Sequence, residues 1–203
     1  HEHVDHVGGL EAFSKKHGIP VFASEKLMKR RADIFQTIPA RVGLHAGKET
    51  AVQGFRVPPI PIPHDAVEPF AYRIETNGVR FGYVTDMGFP APRAAEGLHE
   101  CHALVVEFNH DAEMLAAGAY PPQLKERIRG KNGHLSNEQA EGFLADILHE
   151  GCREVFLAHL SERNNTPALA RAAARRACER AGQKPNVRMT SHDEPTEIVS
   201  VGD

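Results

Sequence analysis

The chain opens with His1-Glu-His3-Val-Asp5-His6, followed by two glycines. Three imidazoles and a carboxylate packed this tightly would crowd and desolvate one another unless a shared cation held them. The H-x-H-x-D-H run therefore points to metal ligation. Further donors fall where strands should end: His64 after "VPPIPIP", Asp86 closing "FGYVTD" and His159 closing "EVFLAH". Taken alone, His64 or His159 would be an ordinary surface or core histidine; beside the cluster they gain weight. Loops at strand ends are where sheets commonly build sites. Five histidines and two carboxylates, without cysteine, suit a divalent ion such as zinc, manganese or iron. Seven donors exceed one tetrahedral shell and match two ions sharing a carboxylate, and water held between two such ions can attack an ester, amide or phosphodiester.

Composition sets the frame for these residues. The 203 residues are 41% hydrophobic and 25% charged, enough for one well-buried globular domain. No apolar run approaches the roughly 20 residues that span a bilayer, so no membrane partner is expected. Cys101, Cys152 and Cys178 are odd in number and widely spaced, which argues against a disulfide framework and fits a reducing cytoplasm. A net charge of −3 offers no global basic field for nucleic acid. The abnormal count is histidine, at 13. Of these, His17, His45, His99, His102, His149 and His192 take no functional role.

The elements alternate between helix-like and strand-like. "GLEAFSKKHG" predicts a helix stopping at Gly18, "PVFAS" a strand, and Ser24 a cap for the next helix. From about Val52 to Asp86 the pattern is β, with a hairpin at Asn77-Gly78. "ALVVEF" predicts a buried strand ending at Glu107. Residues 111–130 read as helix interrupted at "YPP". "SNEQAEGFLADILHEG" reads as a helix with a Ser136/Gln139 capping box and Gly151 as its stop. "REVFLAH" is a strand, and Thr166-Pro167 begins a long helix. A last strand or two are expected between Val187 and Val201. With no repeat or linker, residues 1–203 form one α/β domain.

With the ligand order established, the chain resembles the metallo-β-lactamase superfamily over essentially its whole length. The resemblance rests on "HEHVDHVGG" and on His64, Asp86 and His159 in order and strand-end context. It implies an αββα sandwich with a dimetal site along one edge, lacking the family's first strands in this chain. His1, His3 and His64 would hold one ion; Asp5, His6 and His159 the other; Asp86 would bridge. Glu107 and His134 resemble the glutamate and histidine of nuclease members, in which the histidine protonates the leaving oxygen and the glutamate orients it. The implied catalytic residues are His134, Glu107 and Asp5. "VTDMG", "VVEFNHDAEMLAAGAYPPQLKERI", "GHLSNEQA" and "LAHLSERNN" are similar to the small bacterial YycJ-type branch. That implies a 5′-to-3′ DNA exonuclease acting on DNA ends with two divalent ions, zinc or manganese, and a role in DNA repair. Two alternatives stay open: a hydrolase of small phosphodiesters or acyl (thio)esters, and a non-catalytic nucleic-acid-binding module. His110 and Asp111 are either substrate contacts or helix-start residues. The Arg171, Arg175, Arg176 and Arg180 stripe, like Lys125, Arg127, Arg129 and Lys131, reads first as a solvated face. "SERNNTP" fits either a 5′-phosphate seat at the following helix or simple capping by Thr166.

Overall fold

A computed structural model describes residues 1–191 and 193–201, so His192 lies outside the described residues. Helices α1 (Val4–Val7) and α2 (Leu10–His17) lead into β1 (Val21–Ser24), α3 (Glu25–Arg30), α4 (Ala32–Phe35) and β2 (Arg41–Leu44). The β-rich stretch holds β3 (Thr50–Val52), β4 (Phe55–Val57), β5 (Pro59–Pro61), β6 (Phe70–Thr76) and β7 (Val79–Val84). Then come α5 (Pro92–Leu98), β8 (Ala103–Glu107), α6 (Ala112–Ala117) and α7 (Pro122–Arg129). The chain continues through α8 (Asn137–Ile147), β9 (Glu154–Ala158), α9 (Pro167–Ala181) and β10 (Asn186–Met189).

Eight strands make one sheet in the order β10-β9-β8-β7-β6-β4-β3, with β5 also on β6; β1 and β2 form a separate parallel pair. β4 and β5 keep one register against β6, and the break between them falls at Pro58, which has no N–H to give the ladder. Asn77 (φ 49°) and Gly78 (φ 80°) both take the left-handed conformation that a two-residue hairpin turn requires. From β7 to β10 all neighbours are parallel, so their carboxyl ends share one edge.

One face of this sheet carries the main core. Val84, Leu104, Val106, Val155 and Leu157 pack there with Phe143, Leu144 and Ile147 of α8. The alanine stripe of α9 (Ala170, Ala173, Ala174, Ala177) is fully buried, which lets that helix lie close against the sheet and α8. The opposite face presents Phe81, Tyr83, Val105 and Phe156 to a hollow of about 1040 Å³, bordered by Thr196, Val199 and Val201. A second, smaller core joins Val7, Ala23, Leu27, Ile34, Phe35 and Ile38. Through Val7 it holds α1, and with it the opening histidines.

Two local expectations need correction. Helix α8 stops at Ile147, not near Gly151: Leu148 is already extended (φ −69°, ψ 138°) and the His149 ring is tied to the Cys101 carbonyl at 3.0 Å. Of the strand or two expected after α9, β10 is present, and residues 190–201 form no further strand among the described residues. Helix α5, with Pro92 in its first turn, was not expected, because its seven residues carry little apolar periodicity.

Between α7 and α8 the chain turns back sharply, with Gly133 N–H donating to Gly130 O and His134 N–H to Ile128 O. A Cβ on Gly133 would run into the carbonyl oxygens of Arg127 and Ile128. Gly133→Ala should therefore cost about 1–3 kcal/mol, as overpacking does. Urea unfolding checks this; an unchanged midpoint would show that the turn relaxes freely.

Candidate metal centre

The shared edge of the parallel strands explains how distant residues meet. Val84 pairs with Val106 and Glu107 with Ala158, so Asp86, Glu107 and His159 fall within one layer just beyond the strand ends. Asp86 (φ 60°) and His159 (φ 57°) both leave their strands in the left-handed conformation. That conformation is costly for side chains other than glycine, although Asn, Asp and His tolerate it best, and it clusters at functional sites. Asn109 donates its side-chain amide to the His159 carbonyl (3.0 Å), which fixes that turn from below.

Seven donors converge above this layer. One group comprises His1, His3 and His64; a second comprises Asp5, His6, Asp86 and His159. Within each, one ligand atom per residue lies within 4.8 Å of all the others. Asp86 Oδ1 sits 4.0 Å from His1 Nε2 and 3.7 Å from both His64 Nε2 and His159 Nε2. It therefore borders both groups. Its Oδ2 approaches His6 Nε2 to 3.1 Å yet makes no hydrogen bond, and the buried His1 Nε2 is likewise without a partner. Buried polar atoms that face one another without bonding are what a cation between them would satisfy. The donor set fits divalent metal ions. His64 Nδ1 donates to the Gly133 carbonyl at 3.0 Å, which leaves Nε2 for the metal.

Glu107 lies beneath, fully buried. Its Oε2 accepts the backbone N–H groups of Met87 and Leu135, both at 3.1 Å. Its Oε1 accepts Nδ1–H of His134 and of His159, both at 2.8 Å. A third close set of atoms comes from Asp86, Glu107, His134 and His159. Four N–H donors already consume Glu107, so it orients rather than ligates. Burial works to raise the Glu107 pKa, but the hydrogen bonds from the two imidazoles outweigh it and hold the carboxyl below its usual range. Burial works against the charged His159 ring too, yet Glu107 and Asp86 prevail and push it up to about 9. Asp86 is held below the usual range because His6 and His159 overcome its burial. His64 goes the other way, lowered chiefly by burial.

Several sequence expectations now have a place. His134 reaches Glu107 from the loop before α8. The sequence did not reveal that Glu107 also holds His159. Nor did it reveal Asp65, whose Oδ1 lies 3.5 Å from His64 Nε2 and 3.9 Å from His3 Nε2, and whose Oδ2 accepts Arg127 Nε at 2.5 Å. Its signal was only its place next to His64. Asp111 caps α6 by accepting Met114 N–H at 2.8 Å, the helix-start role, while His110 is buried with Nδ1 unpartnered. Thr166 caps α9. Arg175, Arg176 and Arg180 pair with Glu179, Glu141 and Asp146, as a solvated face does. All three cysteines are buried, and burial pushes the Cys152 thiol up to about 12, so none offers a thiolate.

Glu107→Gln should cost about 2–3 kcal/mol, because two imidazoles lose a charged acceptor. A pH signature accompanies it in metal-free protein. A histidine raised from about 6.5 to about 9 adds stability that is complete below 6.5 and fades as the pH climbs toward 9. Urea midpoints taken across that window should fall with pH in the native chain and fall less in the variant. Identical slopes would mean that His159 does not depend on Glu107.

Comparison with known proteins agrees with this geometry. A β-lactamase superfamily domain model matches residues 1–160. The exodeoxyribonuclease YycJ of Bacillus anthracis is 34% identical over 184 residues, which is 90% of this chain and 70% of that protein. Among solved structures, the metallo-β-lactamase fold protein YhfI of Bacillus subtilis superposes with a TM-score of 0.68 at 16% identity, covering 94% of this chain and 72% of YhfI. Zinc-bound PqqB of Methylobacterium extorquens gives 0.65 at 18% identity, over 94% and 66% of the two chains. The strand-end donors, the matching domain model and these relatives make this chain a member of the β-lactamase superfamily, a metal-dependent hydrolase on the metallo-β-lactamase fold.

Proposed function

We propose that the protein is a dinuclear phosphodiesterase that removes nucleotides from DNA ends, in the 5′-to-3′ direction. The observation that carries this reading is the Glu107–His134 pair beside the donor cluster: an imidazole fixed by a buried carboxylate, yet outside both ligand groups. The similarity to exodeoxyribonuclease YycJ supports the substrate class.

His1, His3 and His64 would hold one ion and Asp5, His6 and His159 the other, with Asp86 shared; zinc and manganese both suit these donors. When bound, such ions supply an acidified water and neutralise charge on the phosphate. The chain's own residues do the rest. Asp5, with a side chain 62% exposed at the mouth of the site, can take the water's proton. As the water oxygen joins phosphorus, the bond from phosphorus to the sugar O3′ breaks, and that oxygen needs a proton near neutral pH. His134 is tied through Nδ1 to Glu107, so its Nε2 is the atom that delivers the proton. An acyl thioester would not need this acid to the same degree, because a thiolate leaves readily. That is why the pair favours phosphodiester chemistry over the acyl alternative.

An assay of 5′-labelled and 3′-labelled DNA with manganese or zinc tests the assignment. Release of nucleotides from the 5′ end supports it, whereas turnover of hydroxyacyl thioesters with none of any phosphodiester would overturn it. His134→Ala should keep metal content and lose roughly 10²–10⁴-fold in kcat on DNA, the usual worth of a positioned acid. The loss should shrink on a nitrophenyl phosphodiester, whose leaving group departs unprotonated. Equal losses on both substrates, or loss of metal, would make His134 structural or a ligand.

A further inference from the structure

Asp65 stands beside the first ligand group without belonging to it. Its backbone N–H donates to Asn132 O at 2.9 Å, and the next carbonyl, Gly133 O, accepts His64 Nδ1–H at 3.0 Å. The turn between α7 and α8 thus fixes residues 64 and 65 together. On one side, Asp65 Oδ2 accepts Nε–H of Arg127 from α7 at 2.5 Å. Taken alone, with the Arg127 side chain 54% exposed, that pair would be a surface salt bridge of little consequence. The other carboxylate oxygen gives it a purpose. Oδ1 lies 3.9 Å from His3 Nε2, and nothing derived above for the metal centre uses that approach.

His3 can offer a metal either ring nitrogen, and its neighbours decide which. His64 has spent Nδ1–H on Gly133, so its Nε2 is the ligand atom, and His3 Nδ1 lies 3.2 Å from it. Donors about 2.0–2.1 Å from a tetrahedral ion stand about 3.3 Å apart, so His3 Nδ1 is placed as the neighbouring ligand atom. The ring proton of His3 then sits on Nε2, facing Asp65 Oδ1. The two atoms are about 1 Å beyond hydrogen-bond length, a gap that a small turn of the Asp65 side chain, 31% exposed, can close. We propose that Asp65 is a positioning residue for the first metal seat: held by Arg127, it accepts Nε2–H of His3 and fixes the ring that gives Nδ1 to the ion. The inference rests on His1, His3 and His64 forming a metal seat. His159 is anchored in the same manner, with its Nδ1–H given to Glu107. A carboxylate on the far nitrogen sets the tautomer of a ligating histidine and makes the ring a stronger donor. Asp65 also brings negative charge to a seat whose own three ligands are neutral imidazoles. Through Arg127, the hold on the first ion is linked to helix α7.

The test strips the full chain of metal and titrates it with cobalt(II) against a chelating dye. It reads a Kd for each ion and the cobalt absorption spectrum. Asp65→Ala should weaken one ion about 10–100-fold, the usual cost of losing the partner of a ligand, and leave the other unchanged. Asp65→Asn should fall between, because its single carbonyl oxygen cannot serve both Arg127 and His3. Arg127→Gln keeps the carboxylate but loosens it, and should weaken the same ion by less than Asp65→Ala does. Two backgrounds place the effect. With His6→Ala the first seat is intact, and adding Asp65→Ala should still cost about 10–100-fold. With His1→Ala the second seat is intact, and adding Asp65→Ala should cost nothing. The spectrum should keep its shape in Asp65→Ala, whereas loss of a ligand would change it. Melting of the metal-free variants should match that of the native chain, which a merely structural role would not allow. Unchanged constants in Asp65→Ala, a loss that persists in the His1→Ala background, or an altered spectrum would each overturn the proposal while leaving the metal centre standing. A native chain that binds no cobalt would remove the metal centre and this inference together.

Discussion

The site depends on one buried carboxylate. Glu107 has no solvent to stabilise its charge, and an uncompensated buried anion would be prohibitively costly. Four N–H donors remove that cost, and they come from three different parts of the chain: Met87 beyond β7, His134 and Leu135 before α8, and His159 beyond β9. One residue thus ties three separate loops to the end of its own strand. Satisfying the carboxylate also decides the chemistry of two rings. With Nδ1–H committed downward, both His134 and His159 must present Nε2 to the cleft, where the proposed function uses one as a proton carrier and the other as a metal ligand. The two rings differ in what else they meet: His159 Nε2 lies 3.5 Å from Asp5 and 3.7 Å from Asp86, whereas the His134 atom 3.8 Å from Asp86 is Nδ1, already committed to Glu107.

That arrangement is paid for in backbone strain. Asp86 and His159 each sit in the left-handed region, which costs on the order of 1–3 kcal/mol per residue. Extended backbone at either position would carry the side chain along the strand direction, away from the cleft. The register of β7, β8 and β9 supplies the compensation. All three strands are fully paired up to the edge, and the Asn109 side chain and the Ser161 N–H close the turn after β9. A well-packed sheet therefore stabilises turns that would not persist in isolation.

Much of this was legible in the sequence, and the parts that were not share a cause. Regular elements follow from local signals: the Asn77-Gly78 turn, the Ser136/Gln139 capping box and the Gly18 stop are all realised in the structure. The donor cluster was legible because three histidines and an aspartate in so short a run have no comfortable alternative. What escaped were contacts that no local pattern encodes. The second imidazole on Glu107 comes from 52 residues away, and the Arg163 guanidinium over the Tyr120 ring joins the β9–α9 loop to the α6–α7 loop. Gly151 misled for the complementary reason. It looks like a helix stop, but a tertiary tie from His149 to the Cys101 carbonyl draws the chain out of the helix earlier.

The two hydrophobic cores give the candidate metal centre a second significance. His1, His3, Asp5 and His6 flank or belong to α1, which the small core holds through Val7. His64, Asp86 and His159 belong to the large sheet and its helix-covered core. Outside the donor cluster, direct ties between the two units include surface contacts such as Glu2 accepting the Val67 N–H and Lys26 beside Glu68. Surface pairs of that kind contribute little, about 0–1 kcal/mol each. Each ligand group, however, draws donors from both units: His1 and His3 with His64, and Asp5 and His6 with Asp86 and His159. A cation in either seat would therefore bond across the seam with far more free energy than the surface contacts supply. On that account a cation bound there would be a structural element as well as a chemical one, because its ligands come from both cores.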